Sequence, residues 1–154
     1  MQRGWRDTFL GQYMDKNLHL IHDFLQQHHV MSLATKDDDE ISVCSLFYAY
    51  DEQKNVFVVA SDQKTTHIKH IQKNNRIAGN ILLETKKTTQ IQGVQFRGIF
   101  TKTDSKELKK LYFQKFPYAV MLRPELWQIS VDYFKMTHNK LGFGKKIIWQ
   151  DALP

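Results

Sequence analysis

The sequence predicts a mainly β domain with flanking helices, an α+β chain whose antiparallel strands close into a small barrel. Three observations predict it. Seven stretches rich in β-branched and aromatic residues alternate, or run wholly apolar, over strand lengths. Most of them follow one another through short polar turns, which antiparallel pairing allows. Helical patterns punctuate the series, so the order reads helix, three strands, helix, two strands, helix, two strands. About seven strands of this kind close most economically into a barrel, which removes sheet edges.

Residues 1–13 have no clear period and read as an N-terminal extension to a single domain spanning 14–154, with Asp15 placed to cap the first helix. Leu18, Ile21, Phe24 and Leu25 recur at helical spacing over 15–29, an amphipathic helix that covers one end of a core. His19 and His22 sit one turn apart on it, but no Glu or Cys ligand accompanies them. They and His28-His29 read as solvated or as complements to the helix dipole, and no metal site is expected. Val30–Thr35 is a short apolar strand. Asp37–Glu40 is an acidic turn that lacks the spaced oxygen ligands and turning glycine of a calcium loop. Ile41–Tyr50 alternates as a strand, and Asp51–Asn55 is a second turn. Val56–Ala60 is wholly apolar, which predicts a central strand.

Thr65–Lys73 reads as a short helix stopped by Asn74-Asn75. Strands over 76–83 and 90–101 follow, joined by a Lys/Thr-rich turn. Asp104-Ser-Lys-Glu107 has the form of a capping box and opens a helix over 105–116, whose apolar face is Leu108, Leu111, Tyr112 and Phe116. Pro117 ends or bends it. A strand over 126–136, a loop from Asn139 to Gly144 and a last strand over 145–149 complete the chain. Trp127 and Trp149 are expected as core anchors, and Gly98, Gly142 and Gly144 as turn or bulge positions.

The chain has 154 residues, 42% hydrophobic and 25% charged, the balance of one globular domain. No apolar run approaches the roughly 18–20 residues of a membrane span. The first residues lack the apolar core of a secretory signal, and the single cysteine, Cys44, excludes an intrachain disulfide; a reducing cytoplasm is the expected compartment. A net charge of +6 favours anionic partners. The lysines, however, are dispersed as the pairs Lys86-Lys87, Lys109-Lys110 and Lys145-Lys146. Tyr48 and Tyr50 alternate with Phe47 as candidate base-stacking groups, yet no basic stripe accompanies them, and a nucleic-acid-binding barrel ranks last among the functions weighed.

The stretch richest in chemistry is Val56-Phe-Val-Val-Ala-Ser61-Asp-Gln-Lys64-Thr65-Thr66-His67. An apolar strand ends in Ser61 and a polar connection leads straight into a helix. Helix N-terminal N–H groups and the macrodipole favour an anion, hydroxyls donate to it, and a lysine supplies charge. The alternative is that Thr65 only caps the helix while Lys64 and His67 sit in water.

This stretch is similar to the phosphate motif of the pyridoxamine-5′-phosphate oxidase-like, FMN-binding split-barrel superfamily, in which an apolar strand leads into a Ser-x-Lys-type motif opening a helix. Thr65-Thr66-His67 stand where that motif falls, with His67 in place of the usual lysine and Lys64 offset from it. Gly93-Val-Gln-Phe-Arg-Gly98, Phe116-Pro117 with Leu122, Trp127 and Leu141-Gly-Phe-Gly-Lys-Lys-Ile-Ile-Trp149 resemble a small bacterial family within that superfamily, over about residues 14–149.

The resemblance implies a Greek-key-like split β-barrel that binds FMN as a homodimer, with the cofactor at the subunit interface. It places Cys44, Ser45, Leu46 and Phe47 on the strand along the flavin ring, and Ala60 and Ser61 beside the ribityl chain. Lys64, Thr65, Thr66 and His67 fall at the phosphate, Gln95 on a strand that presents polar groups to the flavin, and Lys145 near the ring from the second subunit. Each has a plainer reading: Phe47 as core, Gln95 as solvent-facing, Cys44 as a small buried hydrophobe, and His138 as a surface residue rather than a catalytic one. The implied activity is a flavin-dependent oxidoreductase, with catalytic residues and substrate unassigned; the alternative is a flavin- or haem-binding module without a catalytic cycle. The arginine- and histidine-bearing substrate motif of true pyridoxamine-phosphate oxidases is not seen near the C-terminus, so little activity on that substrate is expected.

Overall fold

The structure is a computed structural model that describes residues 17–151. The predicted extension over 1–13 and the Asp15 cap lie outside the described residues. Helix α1 is described over 17–27. It is followed by β1 (Val30–Lys36), β2 (Ile41–Asp51), β3 (Val56–Ala60), α2 (Thr66–Lys73), β4 (Arg76–Leu82), β5 (Gln92–Lys102), α3 (Lys106–Lys115), β6 (Leu126–His138) and β7 (Lys146–Gln150). This is the predicted order of elements, with boundaries moved by one or two residues.

All pairings are antiparallel. The sheet order is β3-β2-β1-β4-β5-β6-β7, and a further β3–β6 pairing closes six strands into a barrel. The β3-β2-β1-β4 neighbourhood is a Greek key. Strand β6 makes closure possible because it is long. One edge pairs with β5; the other is divided, Leu126–Ser130 going to β3 and Tyr133–Thr137 to β7. Gly98 permits the bend this needs. The β5–β6 register shifts at Arg97/Gly98, and a Cβ on Gly98 would lie 2.3 Å from Ser130 O.

Inward residues fill the barrel. Tyr48, Tyr50, Phe57, Phe96, Phe100 and Phe134 are fully buried, with Phe57 at the centre of ring contacts to Phe96 (4.8 Å) and Tyr50 (4.9 Å). Helix α1 plugs the barrel with Ile21 and Leu25, and α2 adds Ile68. Strand β3 is apolar on both faces for a reason. Phe57 and Val59 enter the barrel core, while Val56 and Val58 lie in a second cluster beneath Leu108 and Tyr112 of α3.

Four expectations are corrected. Ser105, not Asp104, is the N-cap of α3, its hydroxyl accepting from the Leu108 N–H. Phe47 is 59% exposed and touches Phe116 edge-on, so it is not core. Tyr48 and Tyr50 are buried, which removes the stacking platform a nucleic-acid reading requires. His138 is half-buried, with its Nδ1 enclosed and unpartnered, rather than a surface residue.

Candidate functional site

The junction between β3 and α2 is organised by one histidine. His67, in the first turn of α2, is buried, and its Nε2 lies 2.5 Å from Ser61 Oγ and 3.3 Å from Thr65 Oγ1. Burial, and secondarily the neighbouring His70, push its pKa below the ordinary value, so the ring is neutral at pH 7. A neutral ring suits this place, because the helix N-terminus repels a cation. The Thr65 hydroxyl donates to Asp62 O at 2.8 Å, and Thr65 makes no side-chain cap. Thr65 thus occupies the expected N-cap position of α2, but without the side-chain bond that usually accompanies it. The first-turn N–H groups of α2 remain available to a ligand or to water.

Two features flank this junction. A cavity of about 920 Å³ opens beside it, lined by Ser61, Lys64 and Lys69 from the junction and by Arg123 from the segment before β6. Arg123 adopts a left-handed conformation, φ 46° and ψ 52°. On the other side runs β2. Its residues Tyr48–Asp51 pair with β3, but Ile41–Phe47 pair only with β1. The second backbone edge over 41–47 therefore has no strand partner among the described residues, and its polar groups are open to a ligand. Because Tyr48 faces Val59 in the β2–β3 register, the open edge begins where Ala60 and Ser61 leave the sheet.

The outer face of the sheet carries a line of polar side chains. Ser45 faces Ser32, Ser32 faces Asn80, Asn80 faces Gln95, and Gln95 faces Lys135, one residue on each of five strands. The next row on that face is Val43, Ala34, Ala78, Arg97 and Tyr133, with the Arg97 guanidinium 4.0 Å from the Tyr133 ring centroid. Small residues in the middle of both rows leave a groove of about 740 Å³. Exposed Ile41, Val43 and Leu82 make its surroundings apolar.

The structure thus brings Ala60, Ser61, Lys64, Thr65, Thr66 and His67 together, with Ser45 and Phe47 on the neighbouring strand. Cys44 and Leu46 point inward against the core, burial pushes the Cys44 thiol up, and their backbone groups face Leu33 and Met31 of β1, so the open edge is formed by the backbone of Ile41, Val43, Ser45 and Phe47. Gln95 is exposed in the groove, three strands away from β2. Lys145 stands apart, exposed at the turn before β7. Sequence reasoning missed Lys69 and Arg123 at the cavity, and Ser32, Asn80 and Lys135 in the polar line. Only Lys69 was within reach, being one helical turn beyond Thr65. Among the described residues no group of three His, Cys, Asp or Glu is placed to hold a metal, and no helix is long and apolar enough to cross a membrane.

No protein-family profile matches the chain. Two relatives match along almost their whole lengths. UPF0306 protein plu4501 of Photorhabdus laumondii is 32% identical over 138 residues, covering 88% of this chain and 96% of the relative. UPF0306 protein YhbP of Escherichia coli O127:H6 is 34% identical over 138 residues, 88% of this chain and 99% of the relative. Among solved structures the chain is similar to a haem-binding protein of Mycobacterium smegmatis (TM-score 0.66, 13% identity, 79% of this chain and 52% of that one). It is also similar to a FAD-binding protein of Mesorhizobium loti (0.64, 15%, 75% and 88%). A third is a Clostridium acetobutylicum protein related to general stress protein 26, of the pyridoxinephosphate oxidase family (0.64, 12%, 88% and 94%). At these identities the likeness establishes the fold alone, a split β-barrel.

Proposed function

This chain belongs to the UPF0306 family, and from that premise we propose that it binds FMN as a homodimer and serves as a flavin-dependent oxidoreductase of pyridoxamine-phosphate-oxidase-like type. The observation that carries this reading is a juxtaposition. An anion-receptive helix start bearing Ser61, Thr65 and Thr66 adjoins the unpaired backbone edge of β2.

The residues present fit such a nucleotide. The Ser61 and Thr66 hydroxyls and the α2 N–H groups suit a phosphate, with Lys64, Lys69 and Arg123 lining the adjacent cavity together with Asp62 and Glu125. The open β2 edge offers backbone donors and acceptors to the rim of a flat ring, and exposed Phe47 offers an apolar face. A bound flavin supplies the hydride or electron chemistry itself; the chain binds it, orients it and excludes water. The FAD-binding neighbour and the neighbour of the pyridoxinephosphate oxidase family support a flavin. The haem-binding neighbour raises the alternative, but among the described residues no histidine lines either of these two cavities. Exposed apolar Ile41, Val43, Phe47 and Leu82 on the outer sheet face support a second copy of the chain as their cover.

The test is an absorbance spectrum of the purified protein, with flavin fluorescence after denaturation and calorimetric titration with FMN and riboflavin. The expected result is one flavin per chain and FMN bound at least about tenfold more tightly than riboflavin, through the charge-assisted phosphate contacts. No heat with FMN, or a Soret band with added haem and no flavin uptake, overturns the reading.

A further inference from the structure

Two hydroxyl groups face one ring nitrogen at the start of α2. His67 Nε2 lies 2.5 Å from Ser61 Oγ and 3.3 Å from Thr65 Oγ1. The Thr65 hydrogen already goes to Asp62 O at 2.8 Å, so toward the ring Thr65 offers only lone pairs. A ring that accepts from Ser61 at Nε2 therefore sets its own lone pair against that of Thr65. A proton on Nε2 removes the conflict. Nε2–H then donates to both oxygens, and the Ser61 hydrogen is free to turn outward. The Ser61 backbone is held while this happens, its N–H donating to Glu125 O at 3.1 Å and its carbonyl accepting from Trp127 Nε1 at 3.0 Å.

The setting keeps the ring neutral in the free chain. His67 is buried in the first turn of α2, where the macrodipole opposes a cation, and burial and then His70 lower its pKa. The charged groups around it bring no relief. Among the described residues no carboxylate forms an ion pair with it. Asp62 Oδ1 is taken by the Lys64 N–H at 2.8 Å, and Glu125 Oε1 by Gln63 Nε2 at 3.1 Å with Lys102 Nζ at 3.8 Å. His70, one turn along α2, bonds Thr35 Oγ1 of β1 at 3.0 Å, and Asp37 of the β1–β2 turn faces His70 at 3.7 Å. Lys64, Lys69 and Arg123 border the cavity in front. A phosphate dianion at Ser61 and the first-turn N–H groups supplies the negative charge that an imidazolium here lacks.

We propose that His67 takes up one proton from solvent as a dianionic phosphate binds at the start of α2, and that this uptake makes it the residue selecting the phosphorylated flavin. This rests on the FMN site proposed above. In the free chain Ser61 donates to Nε2. In the complex Nε2–H donates to Ser61 Oγ, and the Ser61 hydrogen turns to a phosphate oxygen. A permanent cation buried at a helix start would strain the empty site; the histidine carries charge only while the anion is there to compensate it. Riboflavin, which has no phosphate, leaves the ring neutral. FMN affinity consequently rises as pH falls from 8.5 to 7, a range in which the phosphate, with its second pKa at about 6, stays dianionic.

Calorimetric titration with FMN at pH 7.5, in Tris and in HEPES, counts the protons through the difference in buffer ionisation heat. The wild type is expected to take up part of a proton per FMN, whereas riboflavin, and FMN with His67→Gln, are expected to give about zero. FMN affinity is expected to fall at least threefold from pH 7 to pH 8.5 in the wild type and to stay level in His67→Gln. The ring nitrogens of His67, followed by NMR in the wild type, need no variant: bound FMN is expected to raise the pH at which the ring loses its charge. FMN bound without proton uptake overturns the proposal. So does an uptake that His67→Gln leaves unchanged, or a ring that titrates alike with and without FMN. A wild-type protein that binds no FMN overturns the flavin reading instead. Sulfate, a dianion that does not titrate in this range, then probes the helix start alone. A ring titration that sulfate shifts upward upholds the proton-coupled anion site, and one that it leaves unmoved overturns this proposal as well.

Discussion

Ser61 Oγ and His67 Nε2 lie 2.5 Å apart, which ties the residue leaving β3 to the first turn of α2. The contact holds the hydroxyl of Ser61 beside the helix N-terminus, and burial keeps the imidazole neutral. Substituting His67→Leu keeps an apolar body but removes the contact. A loss of about 1 kcal/mol is expected, the worth of one such hydrogen bond, measured by urea unfolding. FMN affinity falls with it, and an unchanged titration curve would count against a role for Ser61 in binding.

Acid weakens the fold through the same residue. The folded-state pKa of His67 lies below the ordinary 6.5, so below that pH the unfolded chain takes up a proton that the folded chain resists. The stability contributed is complete above pH 6.5 and is lost as pH falls through the depressed value. His138, lowered by burial and by Lys140, acts in the same direction. Denaturation midpoints between pH 8 and pH 5 are expected to fall, and the fall is expected to be shallower, not abolished, in His67→Gln.

Helix α2 has no acidic residue in its first turn. Thr66→Glu supplies one and is expected to add about 0.3–1 kcal/mol of stability through the macrodipole. The same carboxylate repels a phosphate. A thermal melt that rises while FMN affinity drops would separate the two effects; a variant that binds FMN normally would move the phosphate elsewhere.

Gly98→Ala tests the bend that lets β5 follow β6. The added methyl meets the backbone carbonyl of Ser130, which cannot rotate away. A loss of about 1–3 kcal/mol is expected from overpacking, seen as a lower unfolding midpoint.

Val43 is 68% exposed on the outer face, beside the groove. Val43→Glu puts a charge into the proposed subunit contact. The wild type is expected to sediment as a dimer and the variant as a monomer; a variant dimer as tight as the wild type would exclude this face.

Much of the fold was legible because period-2 alternation and turn residues are local properties. The error at Phe47 shows the limit. Alternation puts Phe47 and Tyr48 on opposite faces of β2, and both are large aromatics; which face is inside depends on the neighbouring strands. The phosphate-like junction was legible because strand, loop and helix start are contiguous in sequence. Arg123 was not, since it reaches the cavity only when the segment before β6 packs beside Ser61.

By itself the chain's order of residues determined the seven strands, the three helices and the strand-to-helix stretch from Ser61 to His67, because propensity, capping and periodicity act over a few residues. Tertiary structure alone decided that Ser45, Ser32, Asn80, Gln95 and Lys135 form one line and that β2 keeps an open edge beside Ser61. It also set Phe143 at the opposite end of β6 from that junction. The reason is register. Which residues face each other across a sheet is set by the closure of the whole barrel, and a shift of one residue would turn every one of these side chains to the other face.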